Sequence, residues 1–106
     1  MTYTEEQINL VLARANNDII KFSSAIGTIN ETITNTHGDH EASTPVIAML
    51  DAEMRKAEKY ADAAAQYRKW RISATTSSRF GRRTYTQEQI DAIENDFAKA
   101  LFWAEH

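Results

Sequence analysis

Apolar residues recur along this chain at alternating steps of four and three. The first run is Ile8, Leu12, Ala15, Ile19, Phe22, Ile26, Ile29 and Ile33. One side of a helix repeats with that period, so the run predicts a helix with a narrow apolar stripe. Its start is written in Thr4-Glu5-Glu6-Gln7, a capping box in which the Thr4 hydroxyl and the Gln7 side chain satisfy each other's backbone N–H groups. Tyr3 before the cap and Ile8 after it are placed to form a hydrophobic staple. The helix is expected from about Glu5 to about Thr34, roughly 45 Å at ~1.5 Å per residue. Gly27 falls inside it at a cost of about 1 kcal/mol relative to Ala, which points to a bend or a close helix contact.

Residues 35–43 are polar and predict a loop. Thr44 then reads as an N-cap with Pro45 at the first helical position, where the missing N–H does no harm. The second helix is expected from Pro45 to about Ser73, with Ile47, Leu50, Met54, Ala57, Ala61 and Ala64 as its stripe. The alanine half permits close approach to the bulky stripe of the first helix. Beyond Ala64 the same positions hold Arg68 and Arg71, so the stripe ends there or shifts to Tyr60, Tyr67 and Ile72. Whether the two tyrosines are core or surface stays open.

Residues 74–83 predict a second loop, after which Thr84-Tyr85-Thr86-Gln87-Glu88-Gln89-Ile90 repeats Thr2-Tyr3-Thr4-Glu5-Glu6-Gln7-Ile8 with one difference. The sequences diverge afterwards, so this is one helix-start solution used twice. The third helix is expected from Gln87 to near residue 106, with Ile90, Ile93, Phe97, Leu101 and Ala104 inward. One of Phe102 and Trp103 is expected to complete the core beside Leu101, with Trp103 also a candidate interface anchor. The predicted fold is all-α: an antiparallel three-helix bundle, two long helices and a shorter C-terminal one, in a single domain over residues 1–106. Because the third helix is short, the hairpin tip near residues 30–50 protrudes, exposed or buried by a dimer partner.

Composition changes this picture little. Cysteine is absent, which excludes disulfides and thiolate metal sites. The opening Met-Thr-Tyr-Thr-Glu-Glu lacks the basic and apolar regions of a secretion signal, and no apolar run approaches the ~20 residues of a membrane span. Cytoplasmic residence is the expectation. No cofactor is expected.

Charge changes it more. Residues 55–83 hold nine of the twelve basic residues and two acids, a net +7; residues 1–54 carry −6 and residues 84–106 carry −4. Arg68, Lys69, Arg71, Arg79, Arg82 and Arg83 form the candidate patch, with Trp70, Phe80 or Tyr67 as stacking surfaces. Cations interleaved with aromatic rings suit single-stranded nucleic acid, where each stacked base contributes ~1–3 kcal/mol. The competing account is that these cations favour a helix C-terminus, solvate a face or pair with acids of the other helices.

Other clusters say less. His37-Gly38-Asp39-His40-Glu41 offers potential ligands for a divalent ion, but no second cluster supports it and a solvated turn accounts for it. Glu88, Asp91, Glu94 and Asp96 read as the wet face of an amphipathic helix. No nucleophile elbow, phosphate loop or carboxylate pair marks an enzyme.

In size and general character the whole chain, from Thr2-Tyr3-Thr4-Glu5-Glu6-Gln7 to Phe102-Trp103-Ala104-Glu105-His106, resembles the small anti-CRISPR proteins that inhibit type I-E systems. The resemblance implies a target in a bacterial host cell: the crRNA-guided Cascade complex, the single-stranded DNA of its R-loop, or the Cas3 nuclease. Two other classes stand beside it, a helical nucleic-acid-binding regulator and a structural protein that forms a homodimer through the long hairpin. The first would need shorter helices around a tight turn.

Overall fold

The computed structural model describes residues 3–37, 40–75 and 85–106. Three helices account for nearly all of them: α1 (Glu5–Thr36), α2 (His40–Thr75) and α3 (Gln87–Glu105). The all-α bundle of two long helices and a shorter third is as the apolar spacing requires. None of the helices is long and apolar enough to cross a membrane, among the described residues.

Both capping boxes form. Thr4 and Thr86 take nearly the same extended backbone (φ −77, ψ 159 and φ −75, ψ 159), and each hydroxyl accepts from the backbone N–H three residues on, at Gln7 and Gln89. The two glutamine side chains return the bond, accepting from the cap N–H at 2.8 and 2.9 Å.

The first inter-helix loop is shorter than the polar run suggested. α1 continues to Thr36 and ends on His37, whose φ of 51 is left-handed and whose N–H reaches the Ile33 carbonyl. α2 then starts at His40, so Thr44 is no cap and Pro45 lies inside the helix. The proline sits early enough to remove a single rung of the helical ladder, which the hairpin tolerates. At the far end α2 carries Ala74 and Thr75 as helix, two residues past the expected stop.

The core occupies one end of the hairpin. Its buried members are Ile8 and Val11 of α1, Ala64 and Tyr67 of α2, and Phe97, Ala100 and Leu101 of α3. Tyr3, ahead of α1, packs its ring edge against Tyr67 (5.2 Å between centroids) and Phe97 (4.7 Å), and Tyr67 stacks on Phe97 at 4.6 Å. The Tyr3 N–H donates to the Tyr67 hydroxyl at 3.0 Å, closing the cluster. Burial, then the nearby Tyr67 and Glu94, push the Tyr3 hydroxyl above its ordinary pKa of 10.0. Tyr67 is thus core and Tyr60 half-buried beside it, whereas Ile72, the other candidate for a shifted stripe, is 57% exposed.

Phe97 lies level with the start of α1, and α3 ends eight residues later, ~12 Å farther along the bundle. Beyond Ala15 of α1 and Ala57 of α2 the fully buried positions stop among the described residues. The rest of the hairpin, residues 16–37 and 40–56, is a two-helix arm, and the molecule extends 61 Å against 29 and 20 Å in the other directions. The seam residues Ile19, Phe22, Ile26, Ile29, Ile33, Ile47, Leu50 and Met54 are all half-buried. Gly27 sits on the open surface, and a Cβ there would meet nothing within 4 Å, so it marks no close helix contact.

Candidate nucleic-acid or partner interface

Consecutive residues on a helix point ~100° apart, so Arg68, Lys69, Trp70 and Arg71 cannot share one face. The structure separates them. Arg68 and Arg71 turn toward α1: Arg71 Nη1 donates to Glu5 Oε1 at 3.1 Å, and Arg68 Nη2 donates to Asn9 Oδ1 at 2.6 Å and lies 3.8 Å from Glu5 Oε2. Both guanidinium groups therefore clamp the first turn of α1, the pairing with acids of another helix that competed with the binding account. The Arg68 Nε is buried without a hydrogen-bond partner among the described residues.

Trp70 is half-buried and packs edge-on against Tyr67 at 5.4 Å, so its ring flanks the core. Lys69 points the other way, toward α3. Arg79, Phe80, Arg82 and Arg83, the rest of the expected patch, lie outside the described residues.

The side of α2 facing α3 holds a second arrangement, one that the run of cations does not announce. One groove is lined by Gln66, Lys69, Tyr85, Gln89, Ala92 and Ile93, and a second, sharing Gln66, by Lys59, Tyr60, Asp62, Ala63, Asp96 and Lys99. Lysines, amides and two tyrosines thus follow each other between the helices, with Asp62 and Asp96 offsetting the charge of the second groove. The signal was present as Lys59, Asp62, Gln66 and Lys69 at steps of 3, 4 and 3, a polar stripe along one line of α2. The two helix-start repeats also diverge here. Tyr3 enters the core, whereas its counterpart Tyr85 lines the groove beside Lys69.

Two further expectations resolve differently. Neither Phe102 nor Trp103 completes the core; they are 51% and 56% exposed, packed edge-on against each other at 5.4 Å. Ala100 fills the position instead, one turn from Phe97. His106 stacks on Phe102 at 4.3 Å with its Nδ1 2.8 Å from the Phe102 carbonyl, which accepts from an Nδ1–H tautomer. Of the 37–41 cluster, Gly38, Asp39 and the His40 side chain lie outside the described residues. Among those described, no three acidic, histidine or cysteine side chains gather as a metal site would need.

No protein-family model, no curated protein and no solved structure matches this chain.

Proposed function

We propose that this protein is a non-catalytic inhibitor of type I-E CRISPR interference, working in the cytoplasm of the bacterial host by holding the displaced single-stranded DNA of the R-loop. The observation that carries the reading is the concentration of nine bases against two acids in residues 55–83 of an otherwise acidic chain. Within it Arg55, Lys56, Lys59 and Lys69 stand exposed along α2. The groove beside Lys69 adds what exposed bases bind: the Tyr85 ring and the Gln66 and Gln89 amides. Arg68 and Arg71 contribute field rather than contact, because Glu5 holds them. Occupying the displaced strand would block Cas3 loading or destabilise target capture.

A second reading docks the basic patch on an acidic surface of a Cascade subunit or of Cas3, and the exposed Phe102 and Trp103, side chains of the kind that anchor protein interfaces, favour it.

The test is fluorescence anisotropy with labelled single- and double-stranded DNA at two salt concentrations, alongside a variant with Arg79, Arg82 and Arg83 changed to Ala. Strand capture requires single-strand binding that weakens as salt rises and is lost in the variant. Absence of binding at low salt sinks it and moves the search to pull-down of Cascade and Cas3.

A further inference from the structure

The apolar stripe of α2 widens a second time beyond the reach of its partner helix. Counting back by heptads from the core, Tyr67 and Tyr60 lead through Glu53 to Val46, and Trp70 and Ala63 lead through Lys56 to Met49. Residues seven apart share a helix face, so Val46 and Met49 lie on the side that α3 covers farther down. There they are 43% and 59% exposed, beside the half-buried Ile47 and Leu50. A Glu53–Lys56 ion pair at 3.1 Å separates this patch from the covered region. α1 behaves differently: Val11 widens its stripe where α3 packs, and in the arm only the isolated Ile20 stands exposed outside the 4-3 seam.

Charge selects the occupant. Residues 22–54 contain no lysine or arginine; by sequence position three of their acids, Glu31, Asp39 and Glu41, fall toward the tip, while Asp51 and Glu53 stand at the root and pair with Arg55 and Lys56, with Lys59 just beyond. An arm laid antiparallel on an identical arm sets each acidic tip against the exposed Arg55, Lys56 and Lys59 of the other's root, which can trade their local partners Asp51 and Glu53 for the tip, and brings the two Val46–Met49 patches together at the axis. A parallel pairing would set tip against tip and repel. We infer that the arm face around Val46 and Met49 docks a second copy of this chain, the two hairpins forming an antiparallel four-helix bundle with a two-fold axis near these residues. This rests on the fold and the charge order alone, independent of any nucleic-acid or CRISPR target.

The experiment is sedimentation velocity of the full chain across a concentration series at low and high salt, with two kinds of variant. Wild type should convert reversibly from 12.0 kDa to twice that mass, the transition moving to higher concentration as salt rises. Val46→Glu with Met49→Glu should weaken pairing roughly tenfold or more, with the helical circular dichroism unchanged. Because the chain has no cysteine, Met49→Cys introduces a single thiol that should cross-link two copies under mild oxidation. Ile20→Cys, on an exposed position of α1 outside the seam, should not. A chain that stays monomeric throughout and fails to cross-link at position 49 overturns the inference and leaves the face to a helix of another protein. A dimer that survives the double substitution and cross-links only at position 20 overturns it equally.

Discussion

The base and the arm of this molecule share two helices and the same 4-3 spacing, yet differ in how deeply that spacing buries anything. In the base, α3 supplies a third wall and Ile8, Ala64, Tyr67 and Phe97 lose all solvent contact. In the arm each helix has one neighbour and the seam from Ile19 to Ile33 is buried only in part. The arm backbone is also weaker: Thr28, Thr32, Thr34 and Thr36 turn their hydroxyls back to carbonyls four residues earlier, a bond that competes with the helical ladder. A heptad stripe therefore states which side of a helix is apolar, and the number of neighbours decides what that side contributes. All four tyrosines and both tryptophans belong to the base or to the chain beside it, so intrinsic fluorescence reports the base and circular dichroism reports both regions.

That optical separation gives the largest test. Phe97→Ala should lower unfolding stability by about 3–5 kcal/mol, with fluorescence and circular dichroism shifting together in a urea titration. Ile29→Ala, at dilution where copies do not pair, should cost about half as much, because the side chain is half-exposed already. Its circular dichroism transition should run ahead of the fluorescence one. Equal costs for the two would erase the distinction between base and arm.

Removing a cap is the next largest effect. Thr4→Ala and Thr86→Ala should each cost about 1 kcal/mol in thermal or urea unfolding, since each frees a backbone N–H that its hydroxyl satisfies. Gly27→Ala should act in the opposite direction and within the arm. With open space around the new methyl group, it should stabilise α1 by about 0.5–1 kcal/mol, seen as slower amide exchange in the arm with the base unchanged.

The smallest effect is a pH one, confined to the base. The Tyr3 hydroxyl has its pKa raised in the folded state, so folding holds its proton more tightly than the unfolded chain does. Its contribution is present in full below the ordinary value of 10.0 and is lost as pH rises through the higher folded value. Tyr3→Phe should flatten that alkaline decline, measured by urea midpoints on either side of pH 10.0.

Helix number, the two capping boxes and the seam were legible in the sequence because each is a local or periodic signal. Val11 and Ala100 were not, since each faces a second neighbour that a one-sided stripe does not announce. Pro45 misled because a proline at the first helical position and one early inside a helix look alike without the turn at His37. The run from Arg68 to Arg71 is contiguous in sequence and divided in space, and a charge count along the chain does not distinguish the two. Helical geometry sends two of these residues to Glu5, one to the core and one to the α3 groove. The groove itself needed two helices in register before its lysines and tyrosines became neighbours.

The bond from the Tyr3 backbone to Tyr67 spans 64 positions. Helical hairpins often close from their turn outward, each contact shortening the loop for the next. Here the turn-proximal half is the poorly packed one and the strongest contacts lie at the open end, so zipping gains little until the termini of the hairpin meet. The rate at which this protein folds is then set by a long-range chain closure, slow for a helical protein of its size.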